Sequence, residues 1–168
     1  MYAQIDQAEV DRRIASSHES VRAVVDYWRR KAGSRRMPSR RDIEPAEIKP
    51  YLSAIILVDV VPDDRRFVYR LVGTHEVAGR GMDPTGLAVR DSFYAESREA
   101  ALGTYEYVVR EKRPFCCCDP YVTPDGWPEH EDVIYLPLSD DDEHVNMVLV
   151  YSYSHQFKAR TGATLVVR

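Results

Sequence analysis

Two runs of residues limit what this chain can fold into more than anything else in it. Ser53–Val61 (SAIILVDVV) and His144–Tyr153 (HVNMVLVYSY) are apolar over much of their length, at consecutive rather than strictly alternate positions. A strand with one wet face alternates, whereas one that is apolar on both faces must be covered from both sides. Three further runs read as strands: Arg66–Val72 (RFVYRLV), Pro114–Thr123 (PFCCCDPYVT) and Asp132–Ser139 (DVIYLPLS). Arg70 interrupts the first of these, and Pro114 and Pro120 interrupt the second, as suits strands at a sheet edge. Pro62–Arg65 and Asp140–Glu143 are short polar links, so the runs beside each link pair as antiparallel hairpins. The expectation is a five-stranded antiparallel sheet, with its first and last strands central and its second and third at the edges.

Helical spacing surrounds these runs. Within residues 6–32, read as one long helix, Val10, Ile14, Val21, Val24 and Trp28 stay on one side, and Ser17 fills the missing position. Two roles fit that stripe. It can cover the chain's own sheet, or, since it also satisfies a heptad alternation, it can form a dimer or partner surface. Gly33 and Ser34 end the helix. Pro38 and Pro45 bracket a connector, and Pro45 suits the first position of a short helix that turns Ile48, Tyr51 and Leu52 inward. Between the second and third strands, His75–Tyr94 holds Gly79, Gly81, Pro84 and Gly86 and is expected to form short turns. A helix from Ala95 to Glu111 follows, with Ala101, Leu102, Tyr105, Val108 and Val109 on one face. The fold class is α+β: the sheet, a helical lobe inserted between strands two and three on one face, and the N-terminal helix on the other.

A chain of 168 residues suits one domain. The expected divisions are an N-terminal helix over 1–36, the sheet domain over 37–155 and a tail over 156–168. A net charge of -4 argues against wholesale nucleic-acid binding. The start, MYAQIDQAEV, has neither the basic residues nor the apolar stretch of a secretory signal. No window approaches the roughly 18 apolar residues of a membrane span. A cytoplasmic location is expected, with the three cysteines reduced.

The chemistry-bearing residues are few. Cys116, Cys117 and Cys118 alternate in direction along a strand, so they cannot converge on a metal, and no Cys-x-x-Cys spacing exists. They read as core or pocket lining. Gly79–Gly86 resembles a phosphate loop but has Pro84 where a dinucleotide fingerprint needs glycine, and no Gly-Lys-Ser/Thr ending. The basic cluster Arg29, Arg30, Lys31, Arg35, Arg36, Arg40 and Arg41 reads first as a solvated helix end, with a nucleic-acid-binding adaptor as the alternative. The acidic loop Asp140–Glu143 offers an opposite pole that could steer a partner or a second copy. Arg70 either anchors an anionic ligand or is structural, paired with Asp59 or Asp91 or simply on an exposed edge. No nucleophile–base pair or paired carboxylate set supports an enzyme with its site in the lobe. No metal site is read.

The order helix, two strands, helical lobe, long helix, three strands resembles a PAS domain. More narrowly, the chain resembles a small bacterial group of mostly single-domain PAS proteins. Trp28 on the first helix, Pro38-Ser-Arg-Arg-Asp-Ile-Glu-Pro45, Tyr69-Arg-Leu-Val-Gly-Thr74 and Thr85-Gly86 carry the likeness over about residues 20–155. The first motif is shifted by one residue, because both Arg40 and Arg41 are present. The resemblance implies a non-catalytic sensor or adaptor that binds a small ligand, docks a signalling protein, or both, as a homodimer whose output runs through a separate protein. Candidate pocket residues are Tyr69, Arg70, Thr74, His75, Tyr105 and Cys117. Haem is disfavoured, since residues 95–111 hold no histidine, and so is flavin photochemistry, since the lobe holds no cysteine. No other cofactor is named by the residues.

Overall fold

The structure is a computed structural model that describes residues 6–122 and 128–154. Five strands form one sheet: β1 (Ile55–Val60), β2 (Phe67–Val72), β3 (Phe115–Val122), β4 (Pro128–Leu138) and β5 (Met147–Ser154). Their spatial order is β2-β1-β5-β4-β3, antiparallel throughout. The two runs that are apolar on both faces are central neighbours, and the interrupted runs hold the edges, as their composition requires. Both expected hairpins are present. A register shift at Leu57/Val58 interrupts the β1–β2 ladder.

Strand ends moved where neighbouring turns claimed residues. Ser53 and Ala54 belong to a 3-10 segment, Pro45–Ala54, which leaves β1 to begin at Ile55. Strand β5 begins at Met147, because Asn146 closes the β4–β5 turn: its N–H donates to Leu138 O and its side-chain oxygen accepts from Asp140 N. Strand β4 starts earlier than expected, at Pro128, because its ladder with β3 continues to Val122. Thr123 and the tail 156–168 lie outside the described residues.

The N-terminal stripe is two helices, not one: α1 (Gln7–Ser16) and α2 (Glu19–Ala32). At Ser17 the backbone is extended and the hydroxyl donates to Ile14 O, closing α1. His18 then caps α2, its Nδ1 accepting from Ser20 N, while its own N–H donates to Asp132 Oδ2 on β4 at 2.8 Å. Short polar side chains that satisfy local backbone groups compete with helix continuation, and three consecutive positions, Ser16-Ser17-His18, offer that competition.

The stripe covers the chain's own sheet. Val10, Ile14, Val21, Val24 and Trp28 are buried within the single chain, which favours the first of their two readings over the dimer or partner surface. Trp28 Nε1 donates to Pro137 O on β4 at 2.8 Å. His18 stacks on Tyr153, with ring centroids 3.5 Å apart, and Tyr151 lies within hydrogen-bonding reach of Ser20. The residues that alternate with them along β5, Val150 and Ser152, therefore face the opposite side.

That opposite side carries the lobe. It opens with α3 (Thr74–Arg80), a helix where turns were expected, and continues through α4 (Arg98–Glu111). Gly81, at φ 74°, closes α3 in the left-handed conformation that glycine tolerates. Helix α4 starts at Arg98 rather than Ala95, because Ser97 supplies the cap by accepting from Ala100 N. Arg66 at the start of β2 grips Glu106 of α4 through two parallel contacts of 2.9 and 3.1 Å.

Candidate functional site

Between the lobe and the sheet lies a cavity. Its floor is Ile56, Tyr69, Val133, Tyr135, Val150 and Ser152, and its roof comes from α3 and α4 and the segment before α4. The space open to a water-sized sphere is about 60 Å³. At roughly 10–15 Å³ per water-sized group, that holds four to six heavy atoms.

Charge enters the cavity from α3. Glu76 and Arg80 lie one turn apart on it and both face inward, with side chains only 10% and 13% exposed. Glu76 Oε1 accepts from Ser152 Oγ on β5. Arg80 Nη1 donates to the Tyr69 hydroxyl at 3.2 Å, and its guanidinium lies over the rings of Tyr69 and Tyr94, at 5.5 and 5.1 Å from their centroids. Arg80 Nε is buried with no hydrogen-bond partner among the described residues, and Glu76 Oε2 stands 3.9 Å from it, beyond hydrogen-bond reach. Burial opposes the Arg80 charge. Its contacts with Tyr69 and the Glu76 carboxylate outweigh that and hold its pKa above the ordinary value. Tyr105, on α4, is buried, and that burial pushes its phenol well above the usual range.

The expected pocket residues divide. Tyr69 and Tyr105 line the cavity. Arg70 does not: adjacent strand residues point to opposite faces, and with Tyr69 inward, Arg70 is 63% exposed and donates to Asp59 Oδ2 at 2.8 Å. The ion pair with Asp59 is the second of its two readings. Thr74 is exposed as the first residue of α3, and His75, half-buried on the same helix, lies outside the lining. Cys117 pairs across strands with Val133, a lining residue, so it shares the cavity's face without reaching the cavity. Cys116 and Cys117 are buried, in keeping with a packing role. Among the described residues no group of histidine, cysteine and carboxylate side chains could hold a metal ion.

Glu76, Arg80 and Ser152 went unread in the sequence. Reading His75–Tyr94 as turns removed the periodicity that would have paired two opposite charges four residues apart just after Gly73-Thr74. Ser152 requires the register of β5, which no local pattern gives.

Three of the seven cations of the basic cluster form ion pairs within the chain. Arg29 pairs with Asp26, Lys31 with Glu47 and Arg35 with Asp42. The acidic loop reaches the same connector: Asp142 Oδ1 accepts from Arg36 N and Met37 N at 2.8 and 3.0 Å. The acidic loop thus holds the backbone of the basic segment, without an ion pair to its side chains among the described residues.

The sequence profile of the PAS domain matches residues 16–151. The chain belongs to the PAS domain family. The match includes α2 and all five strands up to Tyr151. None of the curated proteins matches the chain. Among solved structures, the chain is similar to the LOV domain of an Erythrobacter litoralis blue-light-activated histidine kinase, at 15% identity and a TM-score of 0.47, covering 63% of this chain and 96% of that one. A light-oxygen-voltage domain studied with a flavin analogue is 12% identical with a TM-score of 0.50, covering 69% and 87%. The PAS domain of the fruit-fly ELK potassium channel is 12% identical with a TM-score of 0.46, covering 61% and 86%. At such identities the likeness is one of fold. PAS domains are in general signalling sensor modules and typically non-catalytic. Among the described residues, no helix is long and apolar enough to cross a membrane.

Proposed function

We propose that this PAS domain is a non-catalytic sensor or adaptor module, in which occupancy of the cavity biases the N-terminal helices and so the docking of a separate signalling protein. The observation that supports it is the two-sidedness of β5. Ser152 bonds Glu76 in the cavity, while Tyr153, its neighbour, stacks on His18 at the α1–α2 break. A ligand that moves Glu76 pulls on a strand whose other face holds the helix junction. The module works in the cytoplasm as a homodimer, with surfaces other than the buried stripe forming the contact, and without nucleic acid.

Flavin deserves a direct test, because light-oxygen-voltage domains share the fold. The residues here fit it poorly. Pockets for ligands of that size run to about 300–1,000 Å³, against about 60 Å³ here. The lobe supplies no cysteine, all three lying at 116–118. Haem fits no better, with no histidine on α4.

An absorption spectrum and a native mass spectrum of the purified chain, with and without affinity capture of partners, test the reading together. A colourless dimer that retains a small molecule, or captures one defined signalling protein, is the expected result. A ligand-free monomer that captures nothing refutes it, while a bound flavin refutes the argument against that cofactor and leaves the sensor reading standing.

A further inference from the structure

The cavity presents an acid and a base that only half satisfy one another. Among the described residues, Arg80 hydrogen-bonds Tyr69 alone and leaves a buried Nε–H without an acceptor. A buried, unpaired charged donor is expensive. Glu76 uses Oε1 on Ser152 and holds Oε2 3.9 Å from Arg80 Nε, close enough for charge attraction but too far for a direct hydrogen bond, so both groups keep hydrogen-bonding capacity for a ligand that lies alongside them.

The lining's charge narrows what that ligand is. The Glu76 carboxylate stands 3.9 Å from Arg80 Nε, so a simple anion that approaches Arg80 also meets a like charge. A simple cation must compete with Arg80, which already occupies the faces of Tyr69 and Tyr94. A neutral ligand carrying both charges meets neither objection: its carboxylate answers the guanidinium and its ammonium answers Glu76 Oε2. Volume sets the size, since about 60 Å³ holds roughly four to six heavy atoms.

We propose that the cavity is a binding site for a small zwitterion of the α-amino-acid class, glycine- or alanine-sized, with its carboxylate on Arg80 and its ammonium on Glu76. This rests on the reading of the chain as a ligand-responsive PAS module and assigns that module's ligand chemistry.

The test is a calorimetric titration of the full chain with glycine, L-alanine, acetate, ethylamine and L-tryptophan, with the Tm followed in parallel. Glycine and L-alanine bind and raise the Tm. Acetate and ethylamine, each lacking one charge, bind at least about tenfold more weakly, the expected loss for one charge-assisted hydrogen bond. L-Tryptophan, too large, does not bind. R80Q and E76Q, each checked for native circular dichroism, lose alanine affinity by about tenfold or more, and R70Q keeps it. If either cavity variant fails to fold, the five-ligand series on the native chain decides alone. Acetate or ethylamine binding as tightly as alanine overturns the zwitterion, as does alanine binding that survives both cavity variants, or no binding by any of the five. A different small molecule retained in the native mass spectrum would remove the amino-acid assignment and leave the sensor reading standing. An empty cavity together with no captured partner would remove both.

Discussion

Gly73 joins β2 to α3, at the pivot between sheet and lobe, and its replacement by alanine isolates one physical effect. Its backbone, at φ -62° and ψ 152°, is ordinary for any residue. Conformational freedom is therefore not why glycine is needed there. Space is: a Cβ at this position would lie 2.3 Å from Ser53 O, 2.6 Å from Ser53 C and 2.7 Å from Leu52 O. Ordinary carbon contacts begin near about 3.5 Å, so backbone must move by about 1 Å. The atoms in the way belong to the 3-10 segment that leads into β1, while Gly73 N donates to Ile55 O at 2.8 Å and pins the two backbones together. Overpacking costs typically about 1–3 kcal/mol and occasionally more. Because rigid backbone rather than a flexible side chain is displaced, G73A should lie at the upper end, about 3 kcal/mol. At about 2–4 °C per kcal/mol for a domain of this size, the Tm falls by about 6–12 °C. G79A is the matched control. Gly79 lies inside α3 with nothing within 4 Å of its built Cβ, so the same added methyl should stabilise by about 0.5–1 kcal/mol. Urea and thermal unfolding of both variants measure the pair. A G73A protein within about 0.5 kcal/mol of the parent, the range of an innocuous surface change, or a loss of equal size in G79A, would refute the steric reasoning.

W28F removes the indole N–H that Pro137 O accepts inside the protein. The orphaned carbonyl should cost about 1–3 kcal/mol in chemical denaturation, and a loss below that range would show that the bond carries little. R70A breaks only an exposed pair with Asp59. It should change stability by less than about 1 kcal/mol and leave calorimetric ligand binding intact, whereas lost binding would return Arg70 to the site. Asp141 is held well below the usual carboxylate range, first by the His144 N–H, then by the His144 side chain and the Glu143 N–H. A carboxyl whose folded pKa is depressed stabilises above its unfolded value of about 3.9 and loses that contribution as pH falls further. D141N should therefore be less stable than the parent at pH 7, with the gap closing below about pH 4. A gap that stays constant down to pH 2 in thermal scans would refute the assignment.

Much of the sheet was legible because its signals are local. Residues 53–61 and 144–153 are apolar on both faces, and only a central place in a covered sheet satisfies that. Residues 62–65 and 140–143 are too short for anything but hairpins. The helical stripe at Val10, Ile14, Val21, Val24 and Trp28 was equally visible, but not its break at Ser17, where the hydroxyl closes one helix and Asp132, distant in sequence, receives the N–H that opens the next. The choice between sheet cover and dimer surface was likewise out of reach, since one apolar stripe serves either.

The candidate site was the least legible part. Of the residues expected at a pocket, Tyr69 and Tyr105 line the cavity, while Arg70, Thr74 and His75, close to them in sequence, do not. Adjacent strand residues face apart, so Tyr69 and Arg70 cannot both face the cavity, and nothing local says which one is inward.

By itself the sequence determined the strand count, the antiparallel pairing and the family, because each depends on periodicity, turn chemistry and motif within a few residues. Only the tertiary structure decided that Glu76, Arg80 and Ser152 meet around one small cavity, and that β5 links it to the helix junction. Such meetings depend on register and on which face of α3 turns inward. Both are settled by burial summed over the whole sheet rather than by any one segment.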